Sequence, residues 1–493
     1  MTRGKLAVVG AGVGGLSAAI YARVAGFDVT VFEKNRRVGG RANLLEREGY
    51  RFDVGPSLIN YPWVFEDLFA AAGRKLSDYV ELLPVDPTIR FLWPNGDSLT
   101  LTSDLPALVE EIGRYDSGAE ARVMAWLADA EPRFDLVMRR VVEADETSVA
   151  GYLRRVGLSS LIRSGTHRSM RAQLRRHFRS PRVLDALGSY AMYLGGSPWD
   201  LPGAFAVLPY GEIAYGLWLP RGGVYGLVEA IERLACELGV VIHTETEIRG
   251  VSVRNGRTAG VETVDGTGYG CDVVVINADA PRARRALLGP ELQSRRPRAP
   301  HMTPSVMTYY LALRSSPRDA GHHTIFMPDD SRRTFDDLQH AGRIPDDLAF
   351  YVAVPSATDP GMAPAGGSVL FILVPVPLPT VCPDVERDDF AASIRARVMQ
   401  RMASHGLDVG DESIAFEERM TPREWQDRFA LHEASAFGAA HTLLQIGPLR
   451  WPNRDPYVPG LYYVGASTVP GTGLPTVTMS GRMTVRRILS DAR

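Results

Sequence analysis

A chain of 493 residues, 45% of them hydrophobic, has room for two or three domains and a large buried core. Its formal net charge of −2 gives no global attraction to nucleic acid. Three isolated cysteines, Cys236, Cys271 and Cys382, form no CxxC pair, which argues for a reducing compartment and against a disulfide framework or a zinc site.

The first residues run straight into an apolar strand and leave no space for a leader. The apolar run "VLFILV" meets Pro375, far short of a membrane span. A cytoplasmic protein, soluble or peripheral to a membrane, is expected.

The stretch "KLAVVGAGVGGLSAAIYARVAGFDVTVFEK" predicts strand, turn, helix and strand. Residues 6–9 suit a buried parallel strand, and Leu16, Ala19, Ile20 and Val24 recur at helical spacing. Gly10, Gly12 and Gly15 complete G-x-G-x-x-G, with Ala11 and Gly14 inside it. Gly10 permits the tight turn, Gly12 admits a pyrophosphate to the backbone, and Gly15 lets helix and strand pack closely. Phosphates would meet the helix N-terminus. Glu33, beside Lys34 at the end of the second strand, would accept from the ribose of an adenosine. A glycine-rich turn without a ligand is the alternative. In "RRVGGRA", Gly39 and Gly40 offer a second close backbone approach, and Arg41 a rigid fork of donors for phosphate oxygens.

Residues 60–185 read as mainly helical, with a strand-like insertion around "TIRFLWPNGDSLTL". Residues 147–184 hold nine arginines and no acid, interleaved with leucine, isoleucine, valine and methionine. That pattern suits a membrane surface, with arginines toward anionic headgroups; a solvated face paired with distant acids is the alternative. No motif supports nucleic-acid binding. Tyr190, Tyr193, Phe205, Tyr210, Tyr215, Trp218 and Tyr225 crowd the next stretch, either as channel walls or as core.

Residues 239–281 are strand-rich, with turns at Asn255-Gly256 and Asp265-Gly266. Residues 300–425 alternate strands and helices and suit a substrate domain. His322 and His323 invite a metal reading, but neighbours on a strand point apart and no third ligand is suitably spaced, so no metal is expected. Glu212, among the aromatics, and Glu433, beside His432, are the carboxylates that could take a proton; solvated or structurally paired acids are the alternative. "GLYYVGAS" predicts a last buried strand and "LPTVTMSGRMTVRRIL" a helix. Before that helix, Gly471 and Gly473 allow close backbone approach, and Pro475 suits its first turn.

The second glycine element, at this spacing, resembles that of the flavoproteins of the amine oxidase and phytoene desaturase superfamily. "GLWLPRGGVYGLVEAI", "HHTIFMPDD", "YVAVPSATDPGMAPAGGSVLFILVPVP", "ASAFGAAHTLLQIGPLRWPNRD" and "LYYVGASTVPGTGLPTV" are similar, in order and over nearly the whole chain, to carotenoid desaturases of the bacterial and fungal phytoene desaturase type. The resemblance implies FAD. Gly55, Pro56 and Ser57 would pass near the flavin, and Ile248 would meet the adenine through its backbone. Gly465, Ala466, Pro475, Thr476 and Val477 would bring the last helix to the pyrimidine side, where its dipole favours negative charge.

The implied fold is α/β. Residues 1–60, 215–290 and 440–493 would form a Rossmann-type FAD domain, residues 291–439 a mixed-sheet substrate domain, and residues 100–212 a helical, membrane-associating region. The implied activity is desaturation of a long acyclic polyene such as phytoene, taken from a membrane surface, with oxygen or a quinone as final electron acceptor. Action on dehydrosqualene or a hydroxylated carotenoid, redox-neutral isomerisation, and non-catalytic isoprenoid binding on the same fold stay open. One position departs: Val469 stands where the family usually carries histidine.

Overall fold

An unbroken apolar strand is stable only with both faces covered, and Lys5–Val9 accordingly lies in the middle of a parallel sheet. The computed structural model describes residues 3–294, 299–318 and 320–492. It orders the sheet Leu461–Tyr463, Val273–Ile276, Lys5–Val9, Asp28–Phe32, Val241–His243. All four pairings are parallel. Helices Val13–Val24, Val224–Glu237 and Leu474–Asp491 cover one face. The other face carries an antiparallel sheet, Ile248–Arg254, Arg257–Thr263 and Gly268–Gly270, whose Ile248, Val251 and Val261 pack on Ala7, Val9 and Phe32.

The first and last of these helices cross backbone to backbone. A Cβ added at Gly481 would lie 2.7 Å from the Ala18 nitrogen and 2.8 Å from the Ser17 Cβ. Any side chain there would push the two helices apart.

A second, mixed sheet has seven strands, in the order Ile414–Met420, Ser305–Leu313, Ser368–Val376, Phe350–Ala353, His323–Phe326, Ile89–Leu92, Ser98–Leu101. The strand pair within residues 89–101, read from the sequence as an insertion in a helical stretch, is the edge of this sheet and joins it in parallel to His323–Phe326. Helix Asp388–Ala403 covers one face through Ala391, Ile394, Val398 and Met402. Phe52, Tyr310 and Phe371 pack on the opposite side.

Short helices fill the stretch between residues 105 and 188. The longest, Ala119–Leu136, contains Pro132 and runs on into a wider π turn, Val137–Val142. Proline removes a ladder donor, and such turns absorb the mismatch. Among the described residues no helix is long and apolar enough to cross a membrane.

Candidate active site

A cavity of about 750 Å³ runs from the parallel sheet to the second sheet. At its first end two glycine turns lie side by side. Gly12 bridges Gly39, the Gly39 amide donates to the Ala11 carbonyl at 2.8 Å, and a Cβ on Gly40 would sit 3.1 Å from the Gly12 Cα. Gly15 serves the packing instead, since its Cβ would lie 2.2 Å from the Gly10 carbonyl oxygen. The result is a cradle of bare backbone.

The three covering helices differ at their N-termini. Val224–Glu237 is closed by Asp53, whose carboxylate accepts from the Val224 and Tyr225 amides at 2.8 and 2.9 Å. Val13–Val24 and Leu474–Asp491 start at Gly12 and Gly473 with no side-chain cap, and both N-termini border the cavity. Uncapped amides and a positive dipole end favour an anion. One cavity with two such ends fits a dinucleotide joined to a ring that gains negative charge on reduction.

Glu33 is buried and already holds three donors. Its Oε2 accepts from the Ala11 amide at 2.8 Å, and its Oε1 from the Asn35 amide and Nδ2 at 2.9 and 2.8 Å. A carboxylate offers about four acceptor positions, so one on Oε2 is left for a ribose hydroxyl. Gly10, Gly12, Gly14, Lys34, Gly40, Arg41 and Ile248 border the same end. Ala11 and Gly15 lie one layer behind and shape the turn. The Lys34 ammonium turns to the Asp427 carbonyl at 2.5 Å. Arg41 donates to the Ala436 carbonyl at 2.6 Å; burial lowers its pKa while the Asp279 charge opposes that. Gly55, Pro56, Ser57, Gly465, Ala466, Pro475, Thr476 and Val477 line the middle.

Two residues here escaped sequence reasoning. The Asn277 amide donates to the Val464 carbonyl at 3.1 Å and stands against Gly10, Gly12, Gly14 and Gly15. Asp279 accepts from the His432 amide at 3.0 Å and from the Ser467 hydroxyl. Their signal was the abrupt switch from "VVVI" to polar residues.

Among the described residues, the charged ones bordering the cavity (Glu33, Lys34, Arg41, Glu247, Arg249, Asp279 and Arg282) belong to this first end. Beyond Ser57 the walls are Tyr61, Tyr193, Phe205, Tyr351, Phe371 and the π turn, with His441 and Val469. The Ser57 hydroxyl hydrogen-bonds the Tyr351 hydroxyl at 2.6 Å. The imidazole on this wall therefore comes from His441, not from position 469. Its Nε2 accepts the Thr472 amide at 3.2 Å, which leaves the proton on Nδ1, an atom without a hydrogen-bond partner among the described residues. Burial and Arg450 hold His441 neutral, its pKa well below the usual value.

The structure decides between the alternatives open for the aromatics and the two carboxylates, and corrects the reading of the histidine pair. Of the seven aromatics, only Tyr193 and Phe205 face the cavity. Tyr190 is buried behind the wall, Tyr210 packs on Phe134, Tyr215 is 40% exposed, and Tyr225 belongs to the core of the parallel sheet. Trp218 lies on an edge strand and donates to the Tyr215 carbonyl at 2.9 Å. Helix phase and strand side, invisible in composition, decide these directions. The Glu433 side chain is half-exposed, 3.7 Å from His432, and is not among the residues bordering the cavity. Glu212 is enclosed behind Tyr193. His322 and His323 do not point apart: His322 precedes the strand, and the two rings lie 4.1 Å apart. They bond Thr358 and Tyr351 through Nδ1, and burial holds both neutral. No cluster able to hold a metal occurs among the described residues.

In the basic stretch, Arg171 pairs with Asp185 at 2.6 Å, Arg182 with Asp97 at 2.8 Å and Arg155 with Glu146 at 3.6 Å. Arg154, Arg163, Arg168, Arg175, Arg176 and Arg179 make no ion pair with a carboxylate among the described residues. Val149, Leu153, Leu158 and Ile162 are exposed, as are Leu443, Leu444 and Leu449. The two groups flank Tyr152 and Gly447, which border the cavity.

The family description "Flavin containing amine oxidoreductase" matches residues 13–489. A zeta-carotene-forming phytoene desaturase of Myxococcus xanthus is 37% identical over 99% of this chain and 94% of its own length. A carotenoid 3,4-desaturase of Haloarcula japonica is 34% identical over 98% of both chains. Among solved structures, putrescine oxidase bound to putrescine superposes with a TM-score of 0.62 at 16% identity over 99% of each chain, a likeness of fold. With its uncapped helix ends and glycine cradle, the chain belongs to the flavin-containing amine oxidoreductases, in their carotenoid desaturase branch, and its cofactor is FAD.

Proposed function

We propose that the enzyme removes hydrogen from a long acyclic polyene, phytoene or a close relative, held in the uncharged part of the cavity. The observation that carries this reading is the division of charge along one continuous wall. A charged amine or acid substrate needs a counter-charge in a dry site, and among the described residues no lysine, arginine, aspartate or glutamate borders the cavity beyond Ser57. A polyene needs none.

FAD, when bound, supplies a two-electron oxidant. The Gly10–Gly15 turn, Gly40 and Arg41 would hold its pyrophosphate, Glu33 its ribose, and the N-terminus at Gly473 its ring. What remains for the chain is to position an allylic carbon and exclude water. Tyr61, Phe205, Tyr351 and Phe371 present aromatic faces or edges along the wall, and faces turned to the polyene stabilise developing positive charge.

The π turn, Tyr152 and Gly447 border the cavity, and exposed Leu153 and Leu449 stand next to the last two in the chain. Membrane docking there would deliver a bilayer-soluble substrate without passage through water. Oxygen or a quinone is the expected final electron acceptor.

The test is anaerobic mixing of FAD-loaded protein with liposomes containing phytoene, dehydrosqualene or neurosporene. At least one should bleach the oxidised flavin band and lose two hydrogens by mass. An unchanged product mass would indicate isomerisation, and binding without bleaching an isoprenoid carrier. Reduction by a primary amine alone would overturn the proposal.

A further inference from the structure

Arg450 is buried, and its five N–H groups all end on backbone carbonyls. Nε donates to Thr468 at 2.8 Å, Nη1 to Ala440 and Gln445 at 3.0 and 3.2 Å, and Nη2 to Ala439 and Ala466 at 2.9 and 2.5 Å. The guanidinium thus ties residues 439–445 to the loop that leads from strand Leu461–Tyr463 to the last helix. Every donor is satisfied, yet among the described residues no carboxylate pairs with the charge. Asp145 and Glu146, which share a small cleft with Arg450, pair instead with Arg487 and Arg155 at 3.1 and 3.6 Å. Asp279 acts on Arg450 only through space, and burial still lowers the pKa of the guanidinium. The same Asp279 charge also serves the buried Arg41. A buried cation short of counter-charge is costly. A staple alone does not need one, since neutral amide donors also bind carbonyls.

The place of this charge says what completes it. The Ala466 carbonyl that takes Nη2 also lies 3.5 Å from the Thr472 hydroxyl. Thr472 immediately precedes Gly473, where the last helix opens uncapped on the cavity. Ala466, Val469, Thr472 and Gly473 border the cavity, and Arg450 lies one layer behind them. Resting on the placement of the flavin ring at Gly473 proposed above, we infer that Arg450 is the fixed counter-charge of the reduced cofactor and raises its reduction potential. A hydride brings two electrons and one proton, so FAD gains one negative charge on accepting it. Arg450 adds a whole positive charge to the partial one of the helix end. That charge is in place before reduction, so no rearrangement is needed when the negative charge appears. Arg450 touches neither ring nor substrate and is a positioning residue.

The neighbouring groups leave this task to Arg450. His441, on the cavity wall beside it, is held neutral and supplies no charge of either sign. Arg41 borders the phosphate end. The two buried guanidiniums therefore divide the anionic charge of the cofactor, Arg41 taking the pyrophosphate and Arg450 the charge that comes with reduction. Lysine at position 450 would keep the charge with three donors in place of five, whereas glutamine would keep two donors and lose the charge. The pair of variants separates charge from staple.

Anaerobic titration of the FAD-loaded protein against a redox dye reads the potential without any polyene. Arg450→Gln should lower the equilibrium constant for two-electron reduction about tenfold, a midpoint about 30 mV more negative. Arg450→Lys should stay within about threefold of the wild-type constant. A wild-type potential in Arg450→Gln, or equal losses in both variants, overturns the inference and leaves Arg450 a staple. Weaker FAD binding at an unchanged potential overturns it too, because the charge then serves the phosphates. If Arg450→Gln fails to fold or to keep FAD, proton uptake on reduction of the wild type in mildly acidic buffer decides. One proton per two electrons supports a charged reduced ring, and two overturn it. If the ring lies elsewhere, Gly473→Val keeps its flavin and both Arg450 variants keep the wild-type potential; failure of this inference alone leaves Gly473→Val stripped of flavin.

Discussion

Replacing Glu33 by alanine should weaken both the free protein and its hold on FAD, by separable amounts. In the free chain the carboxylate satisfies the Ala11 and Asn35 amides. The Asn35 side chain keeps a second partner, the Arg428 carbonyl at 3.2 Å, and the half-buried Asn35 amide can turn to water. The Ala11 amide is fully buried and would be orphaned, which costs about 1–3 kcal/mol. Cofactor binding loses the remaining acceptor position on Oε2, a charge-assisted bond to ribose of about 1.5–3 kcal/mol. That weakens Kd by roughly 10- to 150-fold. Urea denaturation of the flavin-free protein measures the first loss, and quenching of FAD fluorescence on titration measures the second. A variant that is destabilised yet binds FAD within about threefold of wild type would mean that Glu33 only braces the turn.

Gly473→Val should release flavin, because φ of +120° at Gly473 is closed to a β-branched residue and the N-terminus of the last helix must move; retained flavin absorbance after gel filtration would contradict this. Gly481→Leu should separate the first and last helices and lower stability by about 1–3 kcal/mol, read by denaturant midpoint; an unchanged midpoint would refute the close crossing. Glu212→Gln should remove a pH dependence of stability: burial raises this carboxyl from 4.5 to about 7, so its stabilising contribution is complete below 4.5 and lost as pH climbs through 7, about 3 kcal/mol in all. Asp53 rises to about 7 as well, so the wild-type-minus-variant difference isolates Glu212, and a flat difference would refute the assignment. Glutamate at Arg154, Arg163, Arg175 and Arg176, or serine at Leu443 and Leu444, should reduce flotation with anionic liposomes, as should high salt; unchanged flotation in every case would move the docking surface elsewhere.

The parts of the molecule legible in the sequence are those fixed by neighbouring residues. The turn from Gly10 to Gly15 and the helix after Gly473 announce themselves because each glycine meets a local steric demand. Strand edges do not. Nothing near residues 89–101 says that they will pair in parallel with His323–Phe326, since that register depends on a segment over two hundred residues away. The same limit explains the aromatics: Tyr190 and Tyr193 are one helical turn apart, and only the packing of that turn shows that one meets the cavity and the other Glu212. It also explains the arginines. Arg171 finds Asp185 just beyond the acid-free stretch, but Arg182 finds Asp97 from across the fold. His322 and His323 escape the alternation of a strand because the strand begins only at the second of them.

The close crossing at Gly481 orders events during synthesis. Helix Val13–Val24 emerges from the ribosome early, but the crossing residue of the helix that covers it, Gly481, is made only near the end of the chain. At about 5–20 residues per second, roughly half a minute to a minute and a half separates the two. From its own synthesis until the last strand is made, Val273–Ile276 is an open parallel edge, without the Leu461–Tyr463 strand that later seals it. An open apolar edge invites pairing with other chains. The nascent protein therefore has most need of a chaperone just before its last strand appears. FAD held as proposed could not shorten that wait, because one of the two helix ends that would receive it is made last.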